Sequence, residues 1–138
     1  MLRSALFFTS ILFVGIASCS NTSSETDVQE GTLKTVPPGE FKELPKKIEG
    51  LVLIDVRTPS EVANGKIEGA RNINVSASDF SDQVDKLDKT KPVAVYCASG
   101  IRSARAMDIM RKKGFTTIYN LDGGIKAWNA AGLPIVKN

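Results

Sequence analysis

The chain has 138 residues, 42% hydrophobic and 24% charged, with a formal net charge of +3. That is room for one domain with a real core and hardly for two. Its cations are scattered among acids, which predicts no nucleic-acid partner. Histidine is absent, and the only cysteines are Cys19 and Cys97. These counts exclude Ser-His-Asp and Cys-His hydrolases, HExxH metalloproteases, and zinc sites built from histidine or four thiolates. No metal or cofactor is implied, and any chemistry must run on carboxylates, arginines, hydroxyls or a thiolate.

The chain opens "MLRSALFFTSILFVGIASCS". Arg3 precedes an apolar run, Ala5 to Ala17, that falls short of the about 20 residues needed to cross a bilayer. It fits the apolar core of a secretory signal, with the small pair Ala17-Ser18 as a cleavage site. "IASC" resembles the lipobox of bacterial lipoproteins. That likeness implies a signal peptide over 1–18, acylation of Cys19, and a lipid anchor on the periplasmic side of a bacterial membrane. Ser20 after the cysteine leans toward the outer membrane. Several acyl chains, each contributing about 0.8 kcal/mol per buried CH₂, anchor stably where one does not. The polar stretch that follows predicts a flexible tether over 19–32, with the folded domain over 33–138.

From Leu33 on, short apolar runs alternate with helix-like segments. "LKTV" reads as a strand, and "PPGEFKELPKK" as a turn with a brief helix limited by Pro45. "LVLIDVR" (51–57) is a continuous apolar run, hence a strand buried on both faces. In "TPSEVANG", Ser60 is placed to cap a short helix that Gly65 ends. "ARNINV" predicts a brief strand, and "SDFSDQVDKL" a helix with Phe80, Val84 and Leu87 at core spacing. "KPVAVYC" (91–97) is the second clear buried strand. "SARAMDIMRKKG" (103–114) is the best helix, with Ala106, Met107 and Met110 on one face, cations in the last turn and Gly114 closing it. "TTIYNL" gives a further strand. The last segment, "DGGIKAWNAAGLP", predicts a helix capped by Asp122, with Ile125 and Trp128 inward and Gly132 at its end. This alternation predicts an α/β domain whose mainly parallel sheet is covered on both faces.

Ligands of such sheets bind where strand C-termini meet helix N-termini. Cys97 ends one strand and Ser103 starts the next helix, with Ala98, Ser99, Gly100, Ile101 and Arg102 between them. A turn this tight points successive amides inward, and Gly100 permits a backbone angle that other residues resist. The expected result is a nest of N–H groups around the sulfur. Lowering a thiol's pKa of about 8.5 by roughly two units takes about 2.7 kcal/mol. The helix dipole supplies about 0.3–1 kcal/mol, which falls short. One or two N–H bonds to a charged sulfur, about 1.5–3 kcal/mol each, suffice. No imidazole is then required.

These residues resemble the rhodanese family, sulfurtransferases that carry sulfur as a cysteine persulfide. "LIDVRTPSEVANGKIEGARNINV" looks like the family's first signature, "YCASGIRSA" like its active-site loop, and "LDGGIKAW…GLP" like its ending. The resemblance implies a three-layer α/β domain and Cys97 as nucleophile and persulfide carrier. Residues Ala98 to Arg102 would cradle the transferred group. Arg102, if turned to the pocket, would attract a dianionic donor. Asp55 and Arg57 are expected to support the site through ion pairs with neighbours such as Glu61 or Arg102. The implied partners are a small sulfur-containing anion such as thiosulfate, a cyanide or thiol acceptor, and a protein persulfide. The small residues near the loop predict an open, shallow site. Lys66 departs from the usual histidine of the first signature, Val62 from a common aromatic and Asn74 from a common proline. One alternative is a membrane-tethered module that binds or senses anions or persulfides without catalysis. Another is a small-anion phosphatase of the same fold. Phosphatases of the cell-cycle type have a related loop with one more residue between Cys and Arg, whereas four residues separate Cys97 from Arg102.

Overall fold

The computed structural model describes residues 31–137. The expected signal peptide, Cys19 and the tether as far as residue 30 lie outside the described residues. Five strands, β1 (Leu33–Val36), β2 (Val52–Asp55), β3 (Arg71–Asn72), β4 (Val93–Tyr96) and β5 (Ile118–Leu121), pair in the order β1-β5-β4-β2-β3. Every pairing between them is parallel. The Thr32 carbonyl already accepts from the Ile118 amide at 2.7 Å, so the ladder reaches one residue ahead of the expected domain boundary. Helices α1 (Pro38–Lys47) and α5 (Gly124–Ala130) cover one face, α3 (Phe80–Asp85) and α4 (Ile101–Lys112) the other, and α2 (Pro59–Ala63) follows β2.

β4 lies at the centre, and its sequence shows why. Each residue of "VAVY" is buried, as a strand with neighbours on both edges and layers on both faces demands. Alternation then sorts its side chains. Val93 and Val95 join the core under α3 and α4, with Ile54, Val84, Met110 and Ile118. Ala94 and Tyr96 join the core under α1 and α5, with Phe41, Leu121, Ile125 and Trp128. Cys97 continues the Val93–Val95 row, so its side chain turns toward α4 at the C-terminal edge of the sheet.

Several elements depart from expectation. α1 runs through Pro45 to Lys47, because Phe41 and Leu44 bury one face of it, and that burial outweighs the missing N–H. α2 is capped by Thr58 and not by Ser60. Thr58 Oγ1 accepts from the Glu61 amide while the Thr58 amide donates to Glu61 Oε2, a reciprocal capping box. α4 begins at Ile101, two residues earlier than predicted, since Gly100 at φ 97° turns the chain directly into the helix. α5 is capped by Gly123 at φ 67°, with no side-chain bond from Asp122. The first half of β2 is only partly buried: Leu53, with Leu51 just ahead of the strand, lines a cavity of about 170 Å³ with Phe41, Pro45, Ala94 and Trp128.

Candidate active site

Residues 97–102 form the tight turn between β4 and α4. The Cys97 side chain is fully buried, at 0% exposure, so the expected open and shallow site is instead a sulfur at the floor of its own loop. The Gly100 amide donates to Cys97 Sγ at 3.1 Å. Ser103 Oγ lies 3.4 Å from Sγ and 3.1 Å from the Gly100 carbonyl oxygen. One hydroxyl proton thus has two acceptors in reach, and a charged sulfur is the stronger of them.

Burial pushes the Cys97 thiol up. The Ser103 hydroxyl and the amides of Ser103, Ser99 and Gly100 oppose it, and together they win, holding the thiol below its ordinary range. Of the expected nest, one amide, that of Gly100, reaches the sulfur by a hydrogen bond, and the Ser103 hydroxyl joins it. Ile101, expected as part of the cradle, is 78% exposed, so its side chain faces solvent.

The floor of the loop is fixed from behind. Gly124, at φ 60°, lies so close to the loop that a Cβ there would sit 2.5 Å from the Cys97 carbonyl oxygen and 2.6 Å from Ala98 C and O. The Ile125 amide donates to the Cys97 carbonyl at 2.8 Å, and the Lys126 amide to that of Ala98 at 3.1 Å. The second glycine of "LDGG" is thus demanded by backbone-to-backbone packing against the reactive turn.

Arg102 does not turn its charge to the sulfur alone. Its Nη1 and Nη2 donate to Glu61 Oε2 and Oε1 at 2.9 and 2.7 Å, a bidentate pair joining α4 to α2. Glu61 Oε2 also accepts from Thr58 Oγ1 at 2.8 Å. The Arg102 guanidinium is the leading cause, with Thr58, that brings the Glu61 carboxyl down to about 2. Asp55 and Arg57 were expected to pair with such neighbours. They pair with each other instead: Arg57 Nη2 donates to Asp55 Oδ2 at 2.6 Å and Nε to Oδ1 at 3.0 Å, with both side chains buried. Arg57 reaches on to the Gly65 carbonyl at 2.7 Å, and Asn72 Nδ2 donates to the carbonyls of Asp55 and Arg57. This network ties the start of α2, and with it Glu61, to the sheet.

The departures from the first signature fall in this scaffold. Lys66 pairs through its backbone with Val136, and its ammonium donates to the Ala70 carbonyl at 3.2 Å. Val62 is buried, and Asn74 Oδ1 accepts from the Ser76 amide. Sequence reasoning placed Cys97, Gly100 and Ser103 correctly around one point. It missed Glu61 as the partner of Arg102. The spacing Thr58-x-x-Glu61 before a short helix was the available signal.

Comparison with known proteins agrees with this geometry. The rhodanese-like domain family matches residues 37–131. A sulfurtransferase of Allochromatium vinosum is 38% identical over 88 residues, 64% of this chain and 80% of that protein. The thiosulfate sulfurtransferase GlpE of Pseudomonas putida is 39% identical over 98 residues, 70% of this chain and 86% of its own. Among solved structures, the polysulfide-sulfur transferase homodimer of Wolinella succinogenes is similar at a TM-score of 0.64 and 32% identity. That likeness covers 77% of this chain and 80% of the Wolinella chain. On the family match, the parallel sheet and the reactive turn together, the chain belongs to the rhodanese-like family.

Proposed function

We propose that the protein is a sulfurtransferase that moves a sulfane sulfur from thiosulfate or a related donor to a thiophilic acceptor, cyanide or a thiol, through a persulfide on Cys97. The supporting observation is a single one: a buried thiol at the end of the central strand whose acidity is set by the Gly100 amide and the Ser103 hydroxyl. The family supplies the reaction class, and the hydrogen bonds supply the means of running it in a chain with no histidine.

In the first step the Cys97 thiolate attacks the outer sulfur of the donor. The Sγ–S bond forms, the donor's S–S bond breaks, and its electron pair leaves with the remainder, sulfite in the case of thiosulfate. In the second step the acceptor attacks the outer sulfur of the persulfide, and the electron pair of that S–S bond returns to Cys97 Sγ. Covalent catalysis splits one hard transfer into two easier ones. The donors at Sγ hold the thiolate before and after the transfer, and the persulfide between is itself an anion, so no group has to move a proton at the sulfur. In the same reading, acylation of Cys19 tethers the domain to the periplasmic side of a bacterial membrane, a proposal that rests on the lipobox-like "IASC" alone.

The test is thiosulfate:cyanide transfer by the wild type and by Cys97→Ser. The expected result is transfer by the wild type and none by the variant. Equal rates refute the assignment of Cys97.

A further inference from the structure

The loops that follow the strands at the Cys97 end of the sheet are 37, 56–58, 73–79, 97–100 and 122–123. Their charged residues are Arg57, Asp79 and Asp122, and they contain no lysine. Arg57 is buried and bound to Asp55, while the two aspartates are exposed. The half-buried cation of the reactive turn is therefore Arg102, and both of its Nη atoms are already held by the Glu61 carboxylate. Within the turn and its ion pair, the thiolate's negative charge is joined by one positive and one further negative group, a net negative sum, and the other cations nearby in the chain, Arg105 and Lys126, lie exposed on α4 and α5. A dianion approaching this surface finds no uncommitted charge in the turn to receive it, whereas a singly charged donor suffers half of the Coulomb penalty.

We infer that Glu61 is a specificity-determining residue: by masking Arg102 it tunes the site toward singly charged persulfides carried on organic thiols and against dianionic donors such as thiosulfate. This rests on the persulfide reading of Cys97 given above. Glu61 acts through Arg102 and does not touch the transferred sulfur. Its second duty, capping α2 through Thr58, keeps the carboxylate in place, so the mask is built into the fold rather than into a mobile side chain.

The variant Glu61→Gln separates charge from shape. The carboxamide can still accept a hydrogen bond from Arg102, but it no longer cancels the guanidinium charge. With full-length or tether-free protein, kcat and KM are measured for thiosulfate and for the persulfide of mercaptoethanol, at low and high salt. The expected result is a KM for thiosulfate lowered about five- to tenfold at low salt, with little change for the singly charged persulfide, and a gain that shrinks as salt rises. Arg102→Gln alone should move the ratio the opposite way, against thiosulfate, because it removes the cation and leaves the Glu61 carboxylate uncompensated. Equal shifts for both donors, or a salt-independent change, would show Glu61 to be only a structural strut and overturn the inference. The mass of Cys97 after donor treatment keeps the two claims apart. If extra sulfur is bound but the donor ratio is unmoved, only the specificity role fails; if no donor ever loads Cys97, the persulfide reading itself fails.

Discussion

At the scale of single residues, a thiol with no base beside it depends on the donors that meet its sulfur. The Gly100 amide at 3.1 Å belongs to the backbone, whereas the Ser103 hydroxyl can be removed by a side-chain change that leaves the backbone alone. The folded Cys97 pKa is held below that of a free thiol, so the reactive thiolate is present above that lowered value and lost as pH falls through it. Ser103→Ala removes one donor to the charged form and should raise the midpoint by about one pH unit. Alkylation rate against pH measures this, and an unchanged midpoint would assign the acidity to the amides alone. Cys97, Gly100 and Ser103 were legible in the sequence because they lie within seven consecutive residues, where local spacing dictates geometry. The Glu61–Arg102 pair spans 41 residues and was not, since nothing local says which of many acids an arginine will meet. The Asp55–Arg57 pair joins residues two apart, whose side chains share a face on extended chain, and that rule could have paired them.

At the scale of elements, strands and helices were read well where burial drives them and less well where caps and turns decide. The run "VAVY" and the helix around Ala106 and Met110 sit where apolar pattern placed them. The errors were local: Pro45 does not limit α1, Ser60 does not cap α2, and Asp122 does not cap α5. In α1 the burial of Phe41 and Leu44 outweighed the proline, and in α2 and α5 a neighbouring residue, Thr58 or Gly123, took the cap. The start of α5 matters to the chemistry, because Gly124 carries the floor of the reactive turn. Gly124→Ala would force Cβ against the backbone of Cys97 and Ala98, so the turn must shift or the helix must retreat. A displacement of the sulfur by about 1 Å is enough for roughly a 100-fold loss of transfer rate. Strain in the left-handed region adds a stability cost of about 1–3 kcal/mol. Steady-state kinetics together with denaturant unfolding check both, and near-wild-type transfer by this variant would contradict the packing argument.

At the scale of the whole molecule, the fold places Cys97 directly after a central, fully buried strand, at the sheet's C-terminal edge, and starts a helix beside it. The fold class was legible because strand-helix alternation with buried strands has few solutions. The strand order was not read from sequence, since it depends on which faces pair across the whole domain. The proposed membrane attachment stands apart from this, resting on the lipobox-like "IASC" of the sequence and not on the domain. Everything in the functional account converges on one covalent state of one side chain. The purified domain should be treated with thiosulfate or with an organic persulfide, cleared of excess donor, and its mass measured, with Cys97→Ser alongside. The account predicts a gain of one sulfur atom in the wild type, located on Cys97 and discharged by cyanide or thiol. A wild-type mass that never changes with any donor, or the same gain in Cys97→Ser, would contradict it.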